Sequence, residues 1–321
     1  MLFTFDEASK KINAGELLHI AGTEALLRQL PKGRWVGGST EYFMTKDGGK
    51  VLGDHLLITE FPYDSFSIKS YSVEDIENVA ADAYDNGFSI LAVPFDSAVH
   101  KKYANKAAGF KDMFLKNIAG WVTGVNLSLA GQSPIAVNGQ TAEAFTDRAV
   151  ALHCQVPGHK TVSINIVNIF TQDEKSPVIE FQEEGFAVTD CFVDGKQTAL
   201  ADYIAQNRID TKIPLVGDYA GNGINIAFKS IENGIVNFYS PVFRGIKYRM
   251  AKGIADYAAA FHSRLAELND AKIVFSCNCI LNFLYGELEG KTIGALGGPI
   301  TFGEIAYQLV NQTLVYVTVA D

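Results

Sequence analysis

The same order of elements is predicted near both ends of the chain. Residues 18–60 have the pattern of a short strand, a leucine-rich helix, a strand ending in Gly37-Gly38 and an apolar closing strand. Residues 275–319 repeat this order, with Gly297-Gly298 in the corresponding place. This repeated order predicts two pseudo-repeated α/β units that face each other. Interfaces between such units are common places for a ligand pocket.

The intervening sequence predicts an α+β fold with mixed β-sheets flanked by helices. Short apolar strands alternate with helical segments up to about residue 108, a rhythm typical of sheets covered by helices. Residues 121–182 then contain successive strand patterns separated by turn residues, which favours antiparallel pairing. The sequence therefore predicts both parallel and antiparallel pairing.

A domain boundary is predicted after the helix at 198–207, where polar residues follow. It divides the chain into an N-terminal module, residues 1–207, and a C-terminal module, residues 208–321. In the second module, a long amphipathic helix is predicted over 250–269, because apolar side chains recur there at helical spacing.

Composition and charge indicate which kinds of partner the protein is not expected to bind. The 321 residues carry a net charge of −9 and no basic stripe with interleaved aromatics, so neither nucleic acid nor a membrane surface is predicted as a partner. The first residues lack the apolar core of a secretory signal, and no apolar run approaches the roughly 18 residues of a membrane-spanning helix. Four cysteines in such a chain are expected to be reduced thiols, which favours a cytoplasmic location.

The candidate ligand-binding residues lie at strand ends, in a glycine-rich segment and in a connector. Glycine pairs leave backbone N–H groups open to a ligand, although a tight bend packed on a neighbour explains them equally well. Glu304 is predicted either to be a ligand contact, which binds an ammonium group or pairs with an arginine, or to be a solvated turn acid. The full predicted set is Gly37, Gly38, Ser39, Asp218, Asn222, Arg244, Arg249, Cys277, Gly297, Gly298 and Glu304.

Two groups in that set have a specific alternative. Asp218 and Asn222 lie in a segment without the spacing of a nucleotide-binding loop, so it is either an ordinary loop or the rim of a pocket. Arg244 and Arg249 follow a predicted hairpin and are candidates to clamp a carboxylate with two hydrogen bonds each, or to form surface ion pairs.

Cys277-Asn278-Cys279 raises the question of thiol chemistry. A zinc site or an iron–sulfur cluster needs two more ligands, and neither Cys154 nor Cys191 has paired spacing, so no metal site is predicted. Cys279 is expected in the core. Cys277 is expected just before a helix whose N-terminus would acidify the thiol, but a nucleophile also needs a base, which only the tertiary structure can supply.

Several short motifs resemble the FIST family, intracellular sensory domains of bacterial signalling proteins. The C-terminal half carries most of the resemblance, in Ile273–Cys277, Ile293–Gly298, Thr301–Ile305 and Asn311–Val315, and the N-terminal half contributes Trp35–Thr40. The resemblance implies a small-ligand sensor, usually for amino acids or related metabolites, with haem found in part of the family. Ser39–Phe43 lacks the glycine–acid pair of Gly303-Glu304, and no output module is recognised in this sequence.

The predicted function is the binding of a small, polar, amino-acid-like metabolite in a cleft between the two halves. The role is sensory, with the signal passed to a separate output protein. No cofactor is predicted, and haem remains an option implied only by the resemblance. The alternatives are a hydrolase or acyl transferase that uses Cys277 as nucleophile, and a non-catalytic structural or interaction protein.

Overall fold

The computed structural model describes residues 1–219, 221–266, 272–294 and 296–321. The α+β class with mixed sheets is confirmed, and the structure has a further repeat between the two predicted ones, so that three repeats follow one another along the chain. Each repeat forms a parallel strand pair, a hairpin arm and a closing strand. The third repeat also carries a long insertion, residues 179–250.

The first repeat begins with an edge strand that is followed by a capped helix. Thr4 caps that helix, because its hydroxyl accepts a hydrogen bond from the Glu7 N–H while the Glu7 carboxylate accepts one from the Thr4 N–H. The elements are β1 (Leu2–Phe3), α1 (Phe5–Asn13), β2 (Leu18–Gly22), α2 (Glu24–Leu27), β3 (Trp35–Ser39), β4 (Tyr42–Thr45), β5 (Gly48–Val51) and β6 (Leu56–Glu60).

The second repeat follows the same order, with short 3₁₀ turns at Ile76–Val79, Ala107–Gly109 and Met113–Leu115. Its elements are β7 (Phe66–Tyr71), β8 (Gly87–Pro94), α3 (Ala98–Lys106), β9 (Ile118–Thr123), β10 (Ala136–Asn138), β11 (Glu143–Phe145) and β12 (Ala149–Gln155). The sequence comparison missed this repeat because β9, the second strand of its parallel pair, contains the single Gly120 and no glycine pair.

The third repeat starts at β13 (Thr161–Val167) and resumes after the insertion. The insertion contains β14 (Ile179–Glu180), β15 (Gly185–Val188), β16 (Asp190–Val193), β17 (Lys196–Ala199), α4 (Leu200–Gln206), β18 (Leu215–Tyr219), β19 (Asn222–Ile226), β20 (Phe228–Glu232), β21 (Ile235–Val242) and β22 (Lys247–Met250). The repeat then continues with α5 (Tyr257–Leu265), β23 (Ile273–Cys279), α6 (Ile280–Tyr285), β24 (Gly298–Thr301), β25 (Glu304–Ala306), β26 (Gln308–Val310) and β27 (Leu314–Ala320).

Strand pairing is the same in all three repeats. The two parallel strands are β2 and β3, β8 and β9, and β23 and β24. The closing strand of each repeat (β6, β12, β27) pairs antiparallel with the first strand of that pair. The arm crosses to a neighbouring repeat: β4 pairs with β24, β10 with β3, and β25 with β9. Three six-stranded sheets are thereby linked in a closed cycle.

One glycine in each repeat is required by the close approach of the parallel strands. Gly37 lies opposite Ile20, and Gly120 lies opposite Leu91. A Cβ atom at either glycine would lie 2.1 Å from the carbonyl oxygen of the residue opposite, and one at Gly298 would lie 1.8 Å from that of Ser276. Gly37 is therefore equivalent to Gly298, so the sequence alignment of the two glycine pairs was wrong by one residue.

The inner faces of the three sheets share one apolar cluster. It takes Ala21 from the first repeat, Ala92 and Trp121 from the second, and Cys277 and Val315 from the third. Helices cover the outer faces and bury separate clusters there. The fold is thus a three-sided arrangement of sheets around a common core.

The insertion has its own apolar core and two sheets. In one of them β14, which precedes the predicted boundary at residues 207 and 208, pairs with β22, which follows it. Strands from both sides of that boundary therefore share a sheet. The helix predicted over 250–269 is shorter: Met250 ends a strand, the helix covers Tyr257–Leu265, and residues 267–269 lie outside the described residues.

Among the described residues, the structure contains no helix that is long and apolar enough to span a bilayer.

Candidate functional site

A cavity of about 380 Å³ lies between the insertion and the start of the third repeat. We call it the insertion cavity. Its walls combine a glycine-rich hairpin, two amide side chains and two opposite charges. The residues that define it are Asn168, Gln172, Gly217, Asp218, Gly223 and Arg264.

The hairpin of β18 and β19 forms one wall of the insertion cavity. Asp218 is exposed and lies opposite Gly223, and its Oδ1 accepts a 2.7 Å hydrogen bond from the Gly221 N–H. Gly217 is required at its position, because a Cβ there would come within 2.7 Å of the Tyr248 ring and 2.8 Å of the Tyr219 ring. The packed tyrosines therefore hold the strand while Asp218 is presented at the cavity.

The opposite wall is formed by the segment after β13 and by α5. Gln172 donates from Nε2 to the Val216 carbonyl oxygen at 2.7 Å, which ties this wall to the hairpin. Arg264 is exposed on the last turn of α5 and forms no ion pair with any residue that the structure describes. A carboxylate and a guanidinium group thus line one cavity.

Asn225 connects the insertion cavity to the core of the third repeat. It is fully buried, and its amide exchanges two hydrogen bonds with the amide of Asn168, at 2.8 and 3.0 Å. The Asn225 Nδ2 group also donates to the carbonyl oxygens of Asn311 and Gln312. The N–H of the peptide that follows Gln312 belongs to Thr313 and donates to Glu304 Oε2 at 3.2 Å. A continuous hydrogen-bonded chain therefore joins the cavity wall to Glu304.

Glu304 is fully buried, and burial raises the pKa of its carboxyl from 4.5 to about 8. Its Oε2 accepts hydrogen bonds from the N–H and the hydroxyl of Thr313, and its Oε1 lies 2.8 Å from Thr301 Oγ1. Since these bonds lower the pKa only in part, desolvation of the charged form is the dominant effect. The carboxyl is mainly neutral at pH 7.

The neutral carboxyl has a complete set of hydrogen bonds. With the proton on Oε1, Glu304 donates to Thr301 Oγ1, and the Thr301 hydroxyl donates to the Asn278 carbonyl oxygen 3.3 Å away. Oε2 remains the acceptor for Thr313. This arrangement assigns Glu304 to an internal network, which differs from both predicted roles, a ligand contact and a solvated turn acid.

The fold itself does not require an acid at this position. Ile305 lies opposite Gly120, and the equivalent arm residues Met44 and Val137 lie opposite Gly298 and Gly37. The residues equivalent to Glu304 are therefore those that precede Met44 and Val137. They are Phe43 and Ala136, both fully buried. The third repeat alone carries a polar group here, and it is the repeat that carries the insertion.

Cys277 and Cys279 are both buried, and burial raises the pKa of each thiol well above its ordinary value. The nearby Glu304 carboxyl raises these pKa values further when it is charged. Cys277 lies within β23 and donates to the Gly120 carbonyl oxygen at 3.4 Å. The residue next to α6 is Cys279. The expected acidification of Cys277 by a helix N-terminus was therefore wrong.

The paired glycines do not form the walls of one open cleft. Gly37 and Gly38 are buried within β3, and a Cβ at Gly38 would lie 2.3 Å from the Thr123 side chain. Gly297 and Gly298 border a space of only about 10 Å³ together with Cys277. The backbone of these strand ends packs between repeats, and Gly297 also borders a separate cavity beside the first repeat.

The side chains of Ser39 and Arg249 have partners within the protein, and Arg244 has a partner for its backbone N–H. The buried Ser39 hydroxyl accepts a hydrogen bond from the Ile135 N–H at 2.9 Å. Arg249 donates from Nη1 to the carbonyl oxygens of Ser176 and Glu174. Arg244 is exposed in the insertion, and its N–H donates to a Glu184 carboxylate oxygen at 3.4 Å. Neither arginine is among the residues that line the insertion cavity.

Asp218 is the predicted residue that borders the insertion cavity, and Asn222 is exposed in the hairpin beside it. Sequence reasoning missed Asn168, Gln172, Asn225 and Arg264. Arg264 lies on α5, a helix that the sequence analysis predicted from its apolar residues without considering its polar ones. The amides carry no short-range motif, because their partners are up to 87 residues away in the chain.

No histidine is among the described residues that line the insertion cavity, so these residues do not fit a haem held by a histidine ligand. Within the described ranges, no three side chains of His, Cys, Asp or Glu are grouped as metal ligands.

The chain belongs to a protein family of unknown function, DUF6976, which it matches over residues 3–320. The match spans all three repeats and the insertion. No curated protein matches the chain.

Proposed function

We propose that the protein binds a small zwitterionic metabolite, of the amino-acid class, in the insertion cavity. The observation that carries this proposal is the presence of Asp218 and Arg264 on the walls of one cavity of about 380 Å³. This volume lies within the range of roughly 300–1,000 Å³ that is typical of small-molecule sites. A ligand with an ammonium group and a carboxylate complements both charges.

Each wall has a defined task in this proposal. The Arg264 guanidinium pairs with the ligand carboxylate through two parallel hydrogen bonds. The Asp218 carboxylate, held by the Gly221 N–H, pairs with the ammonium group. The open backbone at Gly221, where a Cβ would have no neighbour within 4 Å, allows close approach of the ligand.

A sensory role in the cytoplasm is the second part of the proposal. The sequence resemblance to the FIST family and the four free cysteines support it. The chain from Asn168 through Asn225 to Glu304 supplies a physical route by which an occupied cavity changes the core of the third repeat. The output is passed to a separate protein. The Cys277 enzyme alternative is disfavoured, because that thiol is buried and has a raised pKa.

The test is a binding screen of the L-amino acids by thermal shift and calorimetry at pH 7. A ligand at 100 times its Kd stabilises the folded state by about 2.7 kcal/mol. The N-acetyl and methyl-ester derivatives of a binding amino acid each lack one charge and are expected to bind at least tenfold more weakly.

Matched variants locate the site. Arg264→Gln and Asp218→Asn are expected to weaken binding by about ten- to a hundredfold, the range for a lost charge-assisted hydrogen bond. Arg244→Gln and Asp202→Asn remove equal charges from exposed positions in the insertion and are expected to bind normally. A screen in which no amino acid binds, or equal affinity for the blocked derivatives, would refute the proposal and favour a structural or interaction protein.

A further inference from the structure

A second cavity, of about 470 Å³, lies where the arm of the first repeat meets the third repeat. We call it the junction cavity. It is far from the insertion in the chain: β1, the β4–β5 hairpin and β6 border it on one side, and Gly297 borders it on the other. The described residues that line the two cavities do not overlap.

The floor of the junction cavity is apolar. Met44 and Leu57 are almost fully buried, and Leu2 beside them is half-buried. Met44 is held in place because β4 pairs with β24, opposite Gly298. A hydrocarbon group that enters the cavity therefore meets a preformed apolar surface.

The rim of the junction cavity is positively charged. Lys46 lies in the hairpin turn and Lys50 on β5, and neither forms an ion pair within the described part of the chain. Asp47 is the one acid among the described residues that line the cavity. Since the protein as a whole carries a charge of −9, an excess of positive charge at this cavity runs against the average of the surface.

The fold does not require these lysines. The equivalent arms are the β10–β11 and β25–β26 hairpins, and neither their strands nor their turns contain a lysine. Lys46 and Lys50 therefore distinguish this junction from the two related ones.

Gly297 allows the arm strand to approach closely at the opposite side of the cavity. A Cβ at this residue would lie 2.9 Å from the Met44 carbonyl oxygen, so a side chain here would press on the arm strand or displace it. The Gly297 carbonyl oxygen accepts a 2.8 Å hydrogen bond from Ser276, which fixes this edge.

We propose that the junction cavity binds a small organic monocarboxylate. Lys46 and Lys50 hold the carboxylate, and the hydrocarbon part packs on Leu2, Met44 and Leu57. The site differs from the insertion cavity, which presents both charges and is proposed for a zwitterion. Either site can fail while the other stands.

The experiment uses acetate, butyrate and hexanoate, with hexanamide as the uncharged analogue of the longest acid. Binding is measured by calorimetry and by methyl NMR of Leu2, Met44 and Leu57 at pH 7. The affinity is expected to rise by up to about fourfold for each CH₂ group buried. Hexanamide is expected to bind at least tenfold more weakly than hexanoate, because it lacks the charge.

A pair of double variants tests the lysines. Lys46→Gln with Lys50→Gln is expected to weaken hexanoate binding at least tenfold. Lys175→Gln with Lys196→Gln changes the net charge equally at two exposed positions, one just before the insertion and one within it, and is expected to leave hexanoate binding unchanged. The methyl spectrum of each apo variant reports whether the cavity floor keeps its packing.

Three outcomes would overturn the proposal. The first is the absence of saturable binding by any of the acids. The second is equal affinity for hexanamide and hexanoate, which would mark an apolar cavity without an anion site. The third is an equal loss in both double variants, which would indicate a general charge effect.

Discussion

Replacement of Glu304 by Gln isolates the energetic cost of its buried carboxyl. The glutamine carbonyl oxygen accepts the hydrogen bonds from Thr313, and its amide donates to Thr301 Oγ1, as the neutral carboxyl does. The variant therefore reproduces the neutral state of Glu304 but does not titrate. At pH 4, wild type and variant are expected to have similar free energies of unfolding.

The magnitude follows from the rise in the pKa of Glu304 from 4.5 to about 8 on folding. Below pH 4.5 both the folded and the unfolded state carry the proton. Between pH 4.5 and pH 8 the unfolded state releases it while the folded state keeps it, so wild type loses stability relative to Glu304→Gln by about 1.4 kcal/mol per pH unit. The difference reaches about 4–5 kcal/mol near pH 8 and stays constant above it.

Buried histidines add pH dependence of the opposite sign. Burial lowers the pKa of His19 to about 3 and those of His100 and His153 to about 4. Their contribution to stability is present above pH 6.5 and is lost as the pH falls toward the folded-state values. Wild type and variant share these residues, so the effect cancels in the difference between them.

The assay is urea unfolding at pH 4 to 9, followed by the fluorescence of the buried Trp35 and Trp121. Glu183→Gln, at an exposed position in the insertion, is the control. Its profile is expected to run parallel to that of wild type. Parallel profiles for wild type and Glu304→Gln would refute the neutral, buried carboxyl. A variant that is much less stable than wild type at pH 4 would contradict the assigned hydrogen bonds.

Three further predictions concern packing and access. Gly120→Ala is expected to cost about 3 kcal/mol or more because its Cβ would meet the Leu91 carbonyl oxygen, whereas Gly158→Ala has open space and should stay within about 0.5 kcal/mol of wild type in a urea titration. Cys277 is expected to resist iodoacetamide at pH 8 until the protein unfolds, and rapid labelling of the native state would contradict its burial. Asn225→Ala is expected to cost about 1–3 kcal/mol in the same titration, because it leaves the buried carbonyl oxygens of two residues without their donor, and an unchanged stability would count against the chain to Glu304.

Local signals in the sequence determined the fold class and part of its repeat. The strand–helix–strand pattern with a glycine near the end was found at both ends of the chain, because a parallel pair that packs this closely needs glycine at a fixed place. The same reasoning predicted Asp218 at the rim of a pocket, since a glycine-rich turn after an apolar strand is visible over seven residues. These features depend on neighbours in the chain and can be read without the fold.

The tertiary structure alone decided which surfaces meet. The arms pair with strands of other repeats, as when Met44 lies opposite Gly298, and no local pattern encodes such a distant partner. Burial also reversed the chemistry expected of Glu304 and Cys277, because desolvation, which depends on the assembled core, raises the pKa of both groups. The packing of α5 places Arg264 at the insertion cavity. The placement of the insertion allows Asn225 to donate hydrogen bonds to the carbonyl oxygens of Asn311 and Gln312. Residue type and spacing therefore specified the elements, whereas long-range packing specified the sites.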